Sequence, residues 1–150
     1  MSEDTDIAAI RTLIDAQFKN LSWDQRREAG WAAYEGDFLP GASLFASARP
    51  VKAQSVPEFV ARMKGLSKSS LRSFEESVVG ARIIVFGTIA IAVASCEAIE
   101  NGSGVDRTVE MLLLLKDEDN WRIAAQAWDK VDPAAPATAA PAWRDSERQA

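Results

Sequence analysis

Glu110 is the acid most out of keeping with its neighbours. It stands inside Val109-Glu110-Met111-Leu112-Leu113, an apolar run where a charge is costly unless it is paired or faces a pocket. Such a carboxylate can serve as a general base or ligand acceptor whose pKa is set by its surroundings. It can equally be a structural or interface carboxylate, paired with Arg107, Arg82 or Ser95. Glu75 and Glu76 alternate on one extended run, so one of them points inward; Glu75 joins Glu110 as a candidate base, against the plainer reading of a solvated strand end. Arg82, set among apolar residues, can hold a carboxylate bidentately or stabilise a developing oxyanion, or simply pair with Glu97 or Glu110. Trp31, Tyr34, Phe45, Gln126 and Trp128 offer the aromatic walls and single amide that small-molecule pockets use. Each is also an ordinary core or interface residue type.

The composition removes other chemistries. There is no histidine, so Ser-His and Cys-His nucleophile pairs and imidazole-based zinc or iron sites are excluded. Cys96 stands alone; it can form no internal disulfide and no thiolate metal cluster, and without an activating base it reads as a small buried hydrophobe. No motif asks for a metal or a cofactor. Gly102-Ser103-Gly104 is not a phosphate cradle, because no lysine follows and no helix opens after it. A net charge of −5 with no basic face argues against nucleic acid. The apolar stretch from Ile83 to Ala94 is broken by Gly87-Thr88 and too short to span a bilayer as a helix. The acidic start, Met1 to Asp6, lacks a signal peptide's basic and apolar regions, so a cytoplasmic location is expected.

The elements that must position these residues follow from periodicity. Ile7, Ile10, Ile14 and Phe18 recur at helical spacing behind a cap at Thr5 or Asp6. Ser22 and Gln25 have capping-box spacing and predict a second helix that runs to Gly36. Ser43 to Ala46 suits a short strand. Ser55-Val56-Pro57-Glu58 is a capping box with proline in the first turn, announcing a third helix striped by Phe59, Val60, Met63 and Leu66. From Leu71 the period becomes that of strands. Four runs (71–86, 88–100, 105–116 and 120–131), joined by short turns, predict an antiparallel meander, with Gly80 as a bulge. Residues 1–131 thus form one α+β domain, and 132–150, rich in Ala and Pro, read as a flexible tail on which Trp143 is the one residue able to dock.

The order of helices and strands, and three motifs within it, resemble the nuclear transport factor 2-like, SnoaL-like (cystatin-like) superfamily. Trp31-Ala32-Ala33-Tyr34-Glu35-Gly36-Asp37 looks like that superfamily's second-helix end. Val85-Phe86-Gly87-Thr88-Ile89-Ala90 resembles its central hairpin, and Leu112 to Lys116 followed by Asn120-Trp121-Arg122-Ile123 its last one. The resemblance covers about residues 6–131. It implies three N-terminal helices packed on a curved antiparallel sheet, a cone with an internal pocket. It also implies either a binder of small apolar, polyketide- or steroid-like molecules or a cyclase, isomerase or dehydratase. Ketosteroid isomerases of this type carry an aspartate where this chain has Ser43 to Ala48, and a tyrosine near Phe18; the dehydratases use a histidine. Neither set is present, so a pocket protein for a small apolar molecule is the leading expectation. A carboxylate-based enzyme and an association module are the alternatives.

Pairing Glu100 with Val105 and Lys116 with Trp121 sorts Glu110, Leu112, Leu114 and Ile123 onto one sheet face with Ile89 and Ile91. Gln126 and Trp128 fall on the other, with Ala90 and Ala92. Both faces are apolar. Helices cover one, so the other is expected to bury itself in a homodimer through the sheet.

Overall fold

The computed structural model describes residues 2–132; the tail reading from Pro133 onward, Trp143 included, lies outside the described residues. Helix α1 runs Glu3–Asn20, α2 Trp31–Gly36 and α3 Val56–Ser67; the strands are β1 Phe38–Phe45, β2 Ala53–Ser55, β3 Phe74–Phe86, β4 Ile89–Glu100, β5 Ser103–Asp117 and β6 Asn120–Lys130. The six strands form one curved sheet in the order β2-β1-β6-β5-β4-β3, with the helices on one side of it. This is an α+β domain.

Three expectations need correction. The α1 cap is Ser2, whose hydroxyl accepts from the Thr5 amide. The second helix is a six-residue turn and a half beginning at Trp31. Ser22 does not cap it, because its hydroxyl is already committed: it donates to the Phe18 carbonyl at 3.0 Å and accepts from the Glu76 amide at 3.1 Å. Trp23 instead exchanges backbone hydrogen bonds with Phe74 as an isolated bridge, and its indole N–H donates to the Leu71 carbonyl. Tertiary partners override the local capping signal there. Third, the short strand expected at Ser43 to Ala46 is the end of a longer β1 that, with β2, joins the meander's sheet and runs parallel to β6, so the sheet is larger than a four-strand meander and not wholly antiparallel. The α3 capping box forms as its spacing predicts, Ser55 and Glu58 bonding each other's backbone.

Bulges decide which face each strand presents. Gly80 follows the extra residue of β3, between Val78 and the pair Gly80–Ser95. Ile99 pairs with Val105 while Glu100 pairs with Ser103, leaving Gly104, at φ +31°, as an extra residue in β5; an L side chain is disfavoured at that φ. Leu114 pairs with Ile123 but Leu113 with Ala125, which makes Ala124 extra in β6. A single extra residue exchanges the faces of everything beyond it. Glu110, Leu112, Leu114 and Ile123 therefore share the helix-covered face with Ala90, Ala92 and Ala94, against the unbulged sorting. Gln126 and Trp128 lie on that face as sorted, since two bulges cancel.

The core lies between this inner face and the helices. Ile10, Ile14, Leu44, Leu114 and Ile123 are fully buried, each worth about 1.5–3 kcal/mol of transfer free energy. The opposite face is uncovered and apolar: Ile84 is 62% exposed, Phe86 81%, Ile91 48% and Met111 54%.

Candidate functional site

The helices do not fill the space over the open end of the sheet, and a cavity of about 260 Å³ remains there. Phe18 of α1, Tyr34 of α2 and Phe59 and Met63 of α3 form its helical wall. Phe74, Glu76, Thr108, Glu110, Gln126 and Trp128 form the sheet wall, and Arg62, Glu100, Asp106 and Lys130 also line it. Aromatic contacts stiffen it: Phe59 stacks on Tyr34 at 5.8 Å between centroids and meets Trp128 edge-on at 5.7 Å.

Of the residues singled out from sequence, Glu110, Tyr34, Gln126 and Trp128 meet at this cavity. The others do not. Glu75 points to the opposite face and is exposed, because Glu76 takes the inward position in the alternation begun by buried Phe74. Arg82 is likewise exposed, paired across the sheet with Val93. Phe45 lines a shallow depression of the outer face with Ile91, Met111 and Ala127. Trp31 is half-buried outside the cavity, its ring 5.5 Å from that of Trp23 and under the Lys64 ammonium. The expected cationic partners of Glu110 are elsewhere too: Arg107 pairs with Glu97 at 3.3 Å.

Glu110 is held by neutral groups. The Gln126 side-chain N–H donates to Glu110 Oε1 at 2.8 Å, and Thr108 lies 3.5 Å from Oε2. Gln126 in turn accepts at 2.7 Å from the side-chain N–H of Gln17, a fully buried residue of α1. Burial pushes the Glu110 carboxyl up to about 7, against the lowering effect of Gln126 and Thr108. Burial pushes Glu76 well above the carboxylate range as well, the Glu110 charge adding to it and a hydrogen bond with Thr108 opposing. Thr108 has one proton to give. That proton serves one carboxylate at a time, and it is aimed at Glu110 Oε2. Burial, with the charges of Glu110, Glu76 and Asp37 behind it, also raises Tyr34 and so keeps its hydroxyl protonated. Two carboxyls with raised pKa values and a protonated phenol thus line one largely apolar cavity.

Glu76, Thr108 and Gln17 are the functional candidates that were missed or left unchosen. Gln17 was legible: with Ile10, Ile14 and Phe18 it completes the buried stripe of α1. Glu76 shares a face with Phe74 by alternation, but which face the helices cover is set by the tertiary structure. Thr108 was not legible, because its face depends on the Gly104 bulge. The raised Cys96 thiol, buried beneath the helices, is in keeping with an inert side chain.

No protein-family model matches the chain, and no curated protein does. Solved structures match it along most of its length. A nuclear transport factor 2-like protein of unknown function from Silicibacter pomeroyi is 20% identical with a TM-score of 0.64, over 87% of this chain and all of the other. A candidate scytalone dehydratase from Novosphingobium aromaticivorans is 10% identical with a TM-score of 0.69, over 85% of each chain. A protein from Exiguobacterium sibiricum, named as a candidate association domain of a calcium/calmodulin-dependent kinase II, is 12% identical with a TM-score of 0.65, over 89% of this chain and 99% of the other. The chain has the nuclear transport factor 2-like, cystatin-like fold. No helix among the described residues is long and apolar enough to cross a membrane.

Proposed function

We propose that the chain takes a small, largely apolar molecule bearing a carbonyl or hydroxyl group into this cavity and moves a proton on it, as a carboxylate-based isomerase, dehydratase or cyclase does. The observation that carries this is the joint burial of Glu76 and Glu110 in an aromatic-lined cavity, with no ion pair to either carboxyl among the described residues. Two such carboxyls cost stability, a cost that functional sites commonly carry, and their environments separate their roles. Glu110 is the base, able to lose its proton near neutral pH; Glu76 holds its proton and, with Tyr34, donates to an oxygen that gains charge. Binding without turnover asks for the aromatic walls but not for two buried acids, so the enzymatic reading is preferred over the simple pocket protein. The likeness to a candidate dehydratase agrees with this choice without establishing it.

The test is a panel of one- and two-ring ketones and hydroxyketones incubated with the protein in deuterium oxide, with exchange at the carbon next to the carbonyl followed by NMR. Exchange that wild type catalyses and Glu110→Gln does not is the expected result. Ligands that bind at the cavity with no exchange in either protein would return the reading to a binder.

The uncovered apolar face supports a second feature, a homodimer through the outer side of the sheet. Phe86, Ile84 and Ile91 form a contiguous patch of the kind a stable monomer rarely exposes.

A further inference from the structure

Gln17 and Gln126 are buried, uncharged and distant in sequence, yet they join α1 to β6 and β6 to the base. We propose that Gln17 and Gln126 act as an amide clamp that fixes Glu110 Oε1 as a hydrogen-bond acceptor and makes Oε2 the atom that takes up and releases the proton. They are positioning residues for Glu110, so the inference rests on the reading of Glu110 as the base.

The argument is one of donors and acceptors. An amide side chain has an oxygen that only accepts and a nitrogen that only donates. Gln17 gives an N–H to Gln126 Oε1 at 2.7 Å, and Gln126 gives an N–H to Glu110 Oε1 at 2.8 Å. If the Gln126 amide turned over, it would set its oxygen against a Glu110 oxygen and its nitrogen against the Gln17 nitrogen, so the two contacts lock one another. With an N–H aimed at Oε1, that oxygen is favoured as the carbonyl acceptor and the proton is favoured on Oε2, beside Thr108 Oγ1.

The clamp has a visible cost. Gln17 is fully buried and its own Oε1 has no hydrogen-bond partner among the described residues. Turning the Gln17 amide alone to relieve that oxygen would oppose it to Gln126 Oε1, and turning both amides would set Gln126 Oε1 against an oxygen of ionised Glu110, so the chain holds while Glu110 is charged. A leucine or methionine would fill the same place with no unpaired acceptor. A buried, half-satisfied glutamine at a helix–sheet contact is explained by what its other end orients.

The experiment needs no substrate. Protein carrying isotope-labelled glutamate carboxyls and glutamine amides is titrated by NMR, with the Glu110 signal assigned by its loss in Glu110→Gln. In wild type the Gln126 side-chain amide protons are expected to shift through the same midpoint as Glu110. In Gln126→Met the Glu110 midpoint rises by about one pH unit or more, since the donor to its charged form is gone. In Gln17→Met it rises by less, because Gln126 remains but is free to turn. If the Gln126 amide signals do not follow the Glu110 titration in wild type, or if both methionine variants leave the midpoint in place, the clamp is refuted. The wild-type amide titration tests the clamp even if a variant fails to fold. An ordinary carboxylate midpoint for Glu110 in wild type would instead refute the reading of Glu110 as a tuned base, a result distinct from failure of the clamp.

Discussion

Replacing Glu110 by glutamine should stabilise the protein, and only at the higher end of the pH range. Glu110 is 5% exposed, and burial moves its carboxyl from an ordinary 4.5 to about 7. Below pH 4.5 the side chain is neutral in both folded and unfolded chains, and its ionisation contributes nothing. As pH rises from 4.5 to about 7, the unfolded chain gives up the proton while the folded chain keeps it. The unfolded state then binds fewer protons, so stability falls with pH. Above the folded value the loss is complete, and a displacement of roughly 2.5 corresponds to about 3 kcal/mol. Glutamine keeps the shape and can accept from Gln126 through its carbonyl oxygen, but it cannot ionise. Urea unfolding of both proteins at about pH 4 and about pH 8 should therefore show near-equal stability at the first and an advantage of about 3 kcal/mol for Glu110→Gln at the second. Equal differences at the two pH values would refute the reasoning, because a packing change has no reason to follow a titration. A loss of stability at about pH 8 would mean that the ionised carboxylate is better solvated in the cavity than its burial implies.

Two further outcomes follow from other parts of the molecule. Asp6 accepts from the Lys116 ammonium and the Trp121 indole, both at 3.0 Å, and these bonds, Lys116 first, lower its pKa below the ordinary 3.8. Its contribution to stability is present above 3.8 and lost as pH falls through the lowered value, so Asp6→Asn should lower the melting temperature at neutral pH, with the difference closing in acid; a constant difference would deny the ion pair its role. At the outer sheet face, Ile91→Lys should convert a dimer into a soluble, folded monomer by sedimentation velocity, whereas a wild type that is already monomeric at high concentration would remove the dimer proposal.

Local patterns in the sequence determined much of this protein. The stripe Ile10, Ile14 and Phe18 specified α1, the reciprocal Ser55–Glu58 bonds specified the start of α3, and the switch to strand period after Leu71 specified the long hairpins. These signals are legible because they depend on neighbours within a few residues. The apolar character of both sheet faces was legible as well, since it is a property of composition along each strand.

Tertiary structure alone decided the rest. Ser22 and Gln25 carry a capping signal that the fold overrides, because the Ser22 hydroxyl finds Phe18 and Glu76 instead. The face of Glu110 turns on one extra residue at Gly104, and periodicity cannot reveal a bulge whose only mark is a glycine in a glycine-rich turn. The choice of Glu76 over Glu75 followed from which side of β3 the helices cover. The link from Gln17 through Gln126 to Glu110 spans most of the chain. Hydrogen-bond partners so far apart in sequence leave no periodic trace, and only folding brings their donors and acceptors within reach.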